Sequence, residues 1–226
     1  DKLANSINTE IAANTAKVTN ATHTGDVTGA TALTIATDAV DIAMLSATGT
    51  ADATTFLRGD NAWVAVAGGL TIADQWRLTT AFSGTSNPIT SNLERVDDPN
   101  QATLGSAMTE SSGVFTFPET GYYWVIATMA TGISSAAERS HGINISVTIN
   151  ASGAADWSNI ANQTTNSYDS GDESTSGAAT NLIVDVTATA DVKVRFYATT
   201  VNGSSVTKGS TNDNLTYFTF IKLADT

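Results

Sequence analysis

The apolar positions of this chain follow two periods, and the switch between them divides it. Over residues 1–20 (DKLANSINTEIAANTAKVTN), Ile7, Ile11, Asn14 and Val18 fall four, three and four apart. These are the d, a, d and a positions of a heptad, and Leu3 and Ala4 continue the seam upstream. The spacing predicts a helix. A helix this short needs partners, because isolated helices below about 12–15 residues are marginal in water. Either a domain surface or further copies of itself could cover it. Asn14 favours a coiled coil, since one polar residue in such a core sets register and oligomer number at some cost in stability.

From residue 69 onward the period becomes two. β-prone runs occupy 75–82 (QWRLTTAF), 88–94, 113–118, 121–131, 142–150 (GINISVTIN), 180–188 (TNLIVDVTA), 191–199 (DVKVRFYAT) and 214–223 (NLTYFTFIKL). Gly, Asn, Asp and Ser clusters separate them. Many short strands with turn chemistry and no helical period predict a β-sandwich or jelly roll. The densest stretch is GVFTFPETGYYWVI, residues 113–126. Phe115 and Phe117 point the same way along a strand that Pro118 ends, and Gly121 allows a tight return. In the next strand Tyr122, Trp124 and Ile126 share one face, while Tyr123, Val125 and Ala127 share the other. A strand apolar on both faces must be covered twice. The opposite sheet of the sandwich can cover one face, and a neighbouring subunit is the expected cover for the other.

Residues 21–68 have neither period. Short β-prone pieces such as Leu33-Thr34-Ile35 and Val40-Asp41-Ile42 alternate with Gly, Thr and Asp, and the largest side chains are Met44, Leu45, Phe56, Leu57 and Trp63. That is too little to close a core around one chain. The segment is also too apolar and too weakly charged for the usual composition of disorder. The expectation is a β-rich stem intertwined with copies of itself. The chain thus divides into a trimeric coiled coil over 1–20, an intertwined stem over 21–68 and a β-sandwich knob over 69–226.

Several stretches resemble known families. Gly-x-Phe-x-Phe-Pro-x-x-Gly-x-Tyr at 113–123 resembles the central strand pair of the complement C1q and tumour-necrosis-factor superfamily. TNLIVDVTATADVKVRFYA (180–198) looks like that family's paired strands around a turn, here Ala190-Asp191-Val192, and NLTYFTFIKL like its closing strand. The resemblance covers roughly residues 72–224 and implies a ten-stranded jelly roll that assembles as a compact trimer with aromatic and aliphatic residues on the threefold axis. Tyr122, Trp124, Tyr217 and Phe218 are the candidates for that contact, as Ile7, Ile11, Asn14 and Val18 are in the helix. Ile11-Ala12-Ala13-Asn14-Thr15 is similar to a repeat of trimeric surface adhesins and phage fibres, which implies an anion held by Asn14 on the axis. HTGDVTGATALTI and TADATTFLRGDNAWV are similar to stretches of bacteriophage tail and side fibres. Together these resemblances imply a homotrimeric phage fibre tip that contacts a host surface glycan or protein. It would meet other virion proteins on its N-terminal side. A capsid head fibre or decoration trimer is the alternative.

Composition removes several function classes. The chain of 226 residues carries 22 acidic against 10 basic residues, a net charge of −12. That argues against nucleic acid, whose phosphates need clustered Lys and Arg, and against anionic lipid. There is no cysteine, so neither a disulfide scaffold nor a Cys-based zinc site can be built. No apolar run approaches the roughly 20 residues of a membrane helix. No His-Glu-x-x-His or Gly-x-Ser-x-Gly occurs, and the two histidines, His23 and His141, lie in different regions. The expectation is a non-enzyme without a cofactor.

What remains is binding chemistry. The loop NSYDSGDESTSG (166–177) gathers Tyr168, Asp169, Asp172 and Glu173 among Ser and Gly. It is the first expected receptor contact, with calcium an alternative occupant and a solvated loop the plainer reading. The loop NGSSVTKGSTND (202–213), with Lys208, is the second. Trp157 fits either a sugar platform or the core. Asp97-Asp98 before Pro99 reads as a turn, Arg58-Gly59-Asp60 as a turn ahead of Trp63, and His141 as loop surface.

Overall fold

The computed structural model describes residues 2–18, 27–28, 34–65, 69–153 and 156–226. The chain forms two units, Asp1–Ala67 and Gly68–Thr226.

The first unit opens with helix α1 (Lys2–Val18). Its apolar seam is uncovered: Leu3, Ile7 and Ile11 are all exposed, and so is Asn14. The Val18 side chain and all of His23 lie outside the described residues. Four short strands follow: β1 (Val27–Thr28), β2 (Thr34–Ile35), β3 (Thr55–Leu57) and β4 (Trp63–Ala65). They pair as β1–β2 and β3–β4. The run around Val40 is not a strand. Ile42–Met44 forms a single 3₁₀ turn because the Asp41 carboxylate accepts the Ala43 N–H at 2.9 Å and caps it. Arg58 and Asp60 pair with each other across the turn before β4, so the tripeptide is closed on itself. Ile35, Ile42, Met44, Phe56 and Leu57 stay exposed, which is the deficit of cover that the composition of this segment predicts.

The second unit is a two-sheet sandwich. Its strands are β5 (Ala73–Leu78), β6 (Phe82–Ser83), β7 (Leu93–Arg95), β8 (Thr109–Ser111), β9 (Val114–Thr116), β10 (Gly121–Ser134), β11 (Glu138–Thr148), β12 (Ser158–Ser167), β13 (Glu173–Val186), β14 (Lys193–Thr200), β15 (Val206–Thr207) and β16 (Tyr217–Ala224). Antiparallel pairing is nested. β5 pairs with β16, β9 with β14, β10 with β13 and β11 with β12, from the outermost pair to the innermost. Cross-pairing of β16 with β10 joins the first and third pairs into one sheet. Pairing of β14 with β11 joins the other two into the second sheet. A long hairpin rolled up in this way is a jelly roll. β7 extends the first sheet, β8 the second, and β6 with β15 lie at the far end of β10.

Between the sheets lies an aromatic core. Phe115 sits at its centre, with Trp76, Phe196, Phe218 and Phe220 around it at ring-centroid separations of 5.2–6.1 Å. Phe196 of the second sheet stacks on Phe218 of the first at 3.8 Å. Edge-to-face and offset ring pairs add to area burial, which makes this cluster the main tie between the sheets. Phe218 is therefore a core residue with no exposed surface, and not part of a contact between copies. In a strand neighbouring side chains alternate, so it is Tyr217 that faces outward.

Candidate functional site

Three places on the second unit carry unusual chemistry. The first is the outer face of the first sheet. β10 alternates strictly: Tyr123, Val125, Ala127 and Met129 are buried, while Tyr122 and Trp124 stay about 40% exposed. Register places Ile183 of β13 and Ile221 of β16 on either side of Trp124, with Ala73 of β5 beyond, so one apolar row crosses four strands. Ile183 is 63% exposed and Leu223 44%. The Trp124 Nε1–H donates to Asn181 Oδ1 at 3.2 Å. The row is bordered by an apolar groove of about 390 Å³ along the edge strands β12 and β13, where Ile149, Ile160 and Ile183 line the opening.

The second place is a loop cluster. Only 168–172 of the expected loop is irregular, because Glu173 already begins β13 and Ser167 ends β12. Tyr168 stands 78% exposed above it. Asp169 is occupied in capping the turn, accepting the Gly171 N–H at 3.0 Å. Glu173 reaches Lys208 at 2.7 Å over Gly132, whose missing side chain leaves the room. The structure thus joins the two expected contact loops through an ion pair, and removes Glu173 from the free loop. Among the described residues no group of three His, Asp or Glu side chains forms a metal site.

The third place is internal and was not legible beforehand. Glu138 at the start of β11 is 2% exposed and accepts from Ser205 Oγ and Thr200 Oγ1 at 2.6 Å each, Asn202 N at 2.8 Å and Ser140 N at 3.0 Å. Burial alone would raise its pKa; the donors from Ser205, Thr200, Ser140 and Asn202 outweigh it and bring it down to about 2. The carboxylate pins the 201–205 loop to the sheet. His141 belongs with it rather than on a surface loop: it is 1% exposed, lies on β11 and meets Thr207 Oγ1 through Nε2 at 3.2 Å. Burial pushes its pKa below the ordinary value, with the charge of Glu138 pulling the other way.

Two further expectations are corrected. Asp97 and Asp98 do more than make a turn, since both converge on the buried guanidinium of Arg77, which Glu94 also holds at 2.7 Å. Trp157 is in neither the core nor a free platform; it is half-buried, with the Arg195 guanidinium 4.3 Å from its ring centroid.

No protein-family model matches the chain, and no curated protein does. Among solved structures it is similar to murine APRIL crystallised at pH 5.0, at 10% identity and a TM-score of 0.48, over 67% of this chain and 98% of that one. It is also similar to the Eiger TNF protein of S. frugiperda, at 15% identity and a TM-score of 0.49, over 70% of this chain and 95% of that one. The jelly roll itself stands on the nested strand pairing.

Proposed function

We propose that this chain is a non-catalytic, homotrimeric fibre module of a phage virion, with a coiled-coil start, an intertwined stem and a jelly-roll knob that contacts the host surface. The observation that carries the trimer is the row Ile183–Trp124–Ile221 on an outer sheet face. Apolar patches of this kind on a soluble domain mark interaction surfaces. The edge groove beside it shares Ile183 with the row and carries the apolar surface round onto the edge of the sandwich. A face on one copy that packs against an edge on the next is a heterologous contact, and such contacts close into rings when the rotation allows. The exposed seam of α1 calls for partners of the same number, and Asn14 within it would hold register and surround an anion on the axis. Tyr168, Asp169, Asp172 and the Glu173–Lys208 pair form the receptor-facing cluster, with a host glycan or protein as its partner.

The virion assignment rests on the fibre-like sequence of 21–68. Gold-labelled antibody against the knob, viewed on intact parent particles by electron microscopy, tests it. Label at the ends of tail fibres is the expected result. Label on the capsid shell would turn the reading into a head fibre, and particles without label would end it.

A further inference from the structure

The turn 168–172 is pinned from several sides. Ser174 Oγ donates to the Tyr168 carbonyl at 2.7 Å, and Ser170 Oγ to that of Asp172 at 3.2 Å. Ser135, just beyond β10, donates through Oγ to the Gly171 carbonyl at 3.1 Å. Gly171 supplies the left-handed residue the turn requires, at φ +80°. A backbone held this way presents its side chains without a large ordering cost on binding. Yet the exposed ring of Tyr168 meets no other ring and no cation among the described residues.

Tyr168 lines an open pocket of about 270 Å³ between the end of β12 and the start of β13. The other lining residues are polar. Asn166 and Thr175 are exposed, and their side-chain amide and hydroxyl meet no protein partner among the described residues. Ser170 and Ser174, 3.0 Å apart at Oγ, spend donor capacity on the two carbonyls and keep acceptor capacity. Glu173, paired with Lys208 at 2.7 Å, adds acceptor oxygens without adding net charge. We propose that this pocket binds one ring of an uncharged saccharide: Tyr168 packs against its C–H face, Asn166 and Thr175 exchange hydrogen bonds with its hydroxyls, and Ser170, Ser174 and Glu173 accept from the remainder. An aromatic face beside mixed donors and acceptors matches a sugar, which is apolar on a face and polar along its rim. A peptide side chain fits less well, since no aliphatic residue and no second aromatic lines the pocket. A polyanion is disfavoured, because Lys208 is already engaged and the chain carries a net charge of −12.

The proposal rests on the adhesion reading, whose receptor-facing cluster it gives a ligand chemistry, and its test fails separately from that reading. The full-length chain is titrated against mannan, a neutral galactan and a β-glucan, with polygalacturonate as the anionic control. Binding to at least one neutral polymer and not to polygalacturonate is expected. Tyr168→Ala should weaken that binding at least tenfold at an unchanged melting temperature, because the ring supports nothing in the fold. Tyr168→Phe should retain it, since the stacking face survives, and Asn166→Ala should weaken it several-fold. Binding to none of the neutral polymers, a preference for polygalacturonate, or full affinity in Tyr168→Ala overturns the site. Each of those results leaves the fibre reading standing, because gold labelling of particles decides it; unlabelled particles would end the fibre reading and leave saccharide binding by the purified chain untouched.

Discussion

Glu138 keeps its charge in a place almost without water because at least four donors point at it. Its folded-state pKa of about 2 lies below the ordinary 4.5, so the unfolded chain takes the proton more readily. The stability this supplies is complete above 4.5 and is lost as pH falls through about 2. His141 works in the same sense: its pKa is lowered below 6.5, so protonation favours the unfolded chain and stability declines on acidification from there. Melting curves from pH 8 to 2 should therefore fall in two stages. Glu138→Gln should cost about 2 kcal/mol at neutral pH and abolish the lower stage, and His141→Asn should abolish the upper one. A single-stage curve in the wild type would contradict this assignment. Neither residue was legible as buried. His141 beside Gly142 read as loop surface and Glu138 carried no expectation, and their partners Thr200, Ser205 and Thr207 come from more than 60 residues away in sequence. The apolar alternation around Trp124, by contrast, is a local property and was readable directly.

Between residues and fold stand the turns. Gly113 has φ +82° in the tight turn from β8 to β9, and a Cβ there would collide with the Ile89 carbonyl oxygen. Gly113→Ala should lower stability by about 3 kcal/mol, since a left-handed backbone and a backbone clash coincide; an unchanged denaturation midpoint would show that the turn can relax. The strands best read from sequence were those facing the core on at least one side. β12 went unseen because its residues, SNIANQTTNS, are mostly exposed and polar on both faces. Its stability comes from the ladder to β11, a non-local pairing that periodicity does not register. The N-terminal half of β13 was hidden for the same reason: ESTSGAAT reads as loop until the fourteen-residue pairing with β10 is known. The short strand at Leu93–Arg95 replaces a longer expected one because Ile89 leaves the ladder to bury itself in the core.

At the scale of the whole molecule, the account turns on surfaces that one copy leaves bare. The first unit exposes the α1 seam and the stem's Ile42, Met44 and Phe56; the second exposes the Trp124 row and the edge isoleucines. If the row is a contact between copies, Trp124→Glu should separate the knobs without unfolding them, because Trp124 points away from the core that Phe115 organises. The α1 and stem contacts would still hold the copies together, so the readout is hydrogen exchange along β10, β13 and β16, which should rise in the variant; exchange unchanged from the wild type would move the contact elsewhere. The central claim is most directly tested by the mass of the purified wild-type chain in solution, measured by light scattering across a dilution series. Three copies of 23.3 kDa give about 70 kDa (3 × 23.3), and that value should hold on dilution. A folded particle of 23.3 kDa would contradict it.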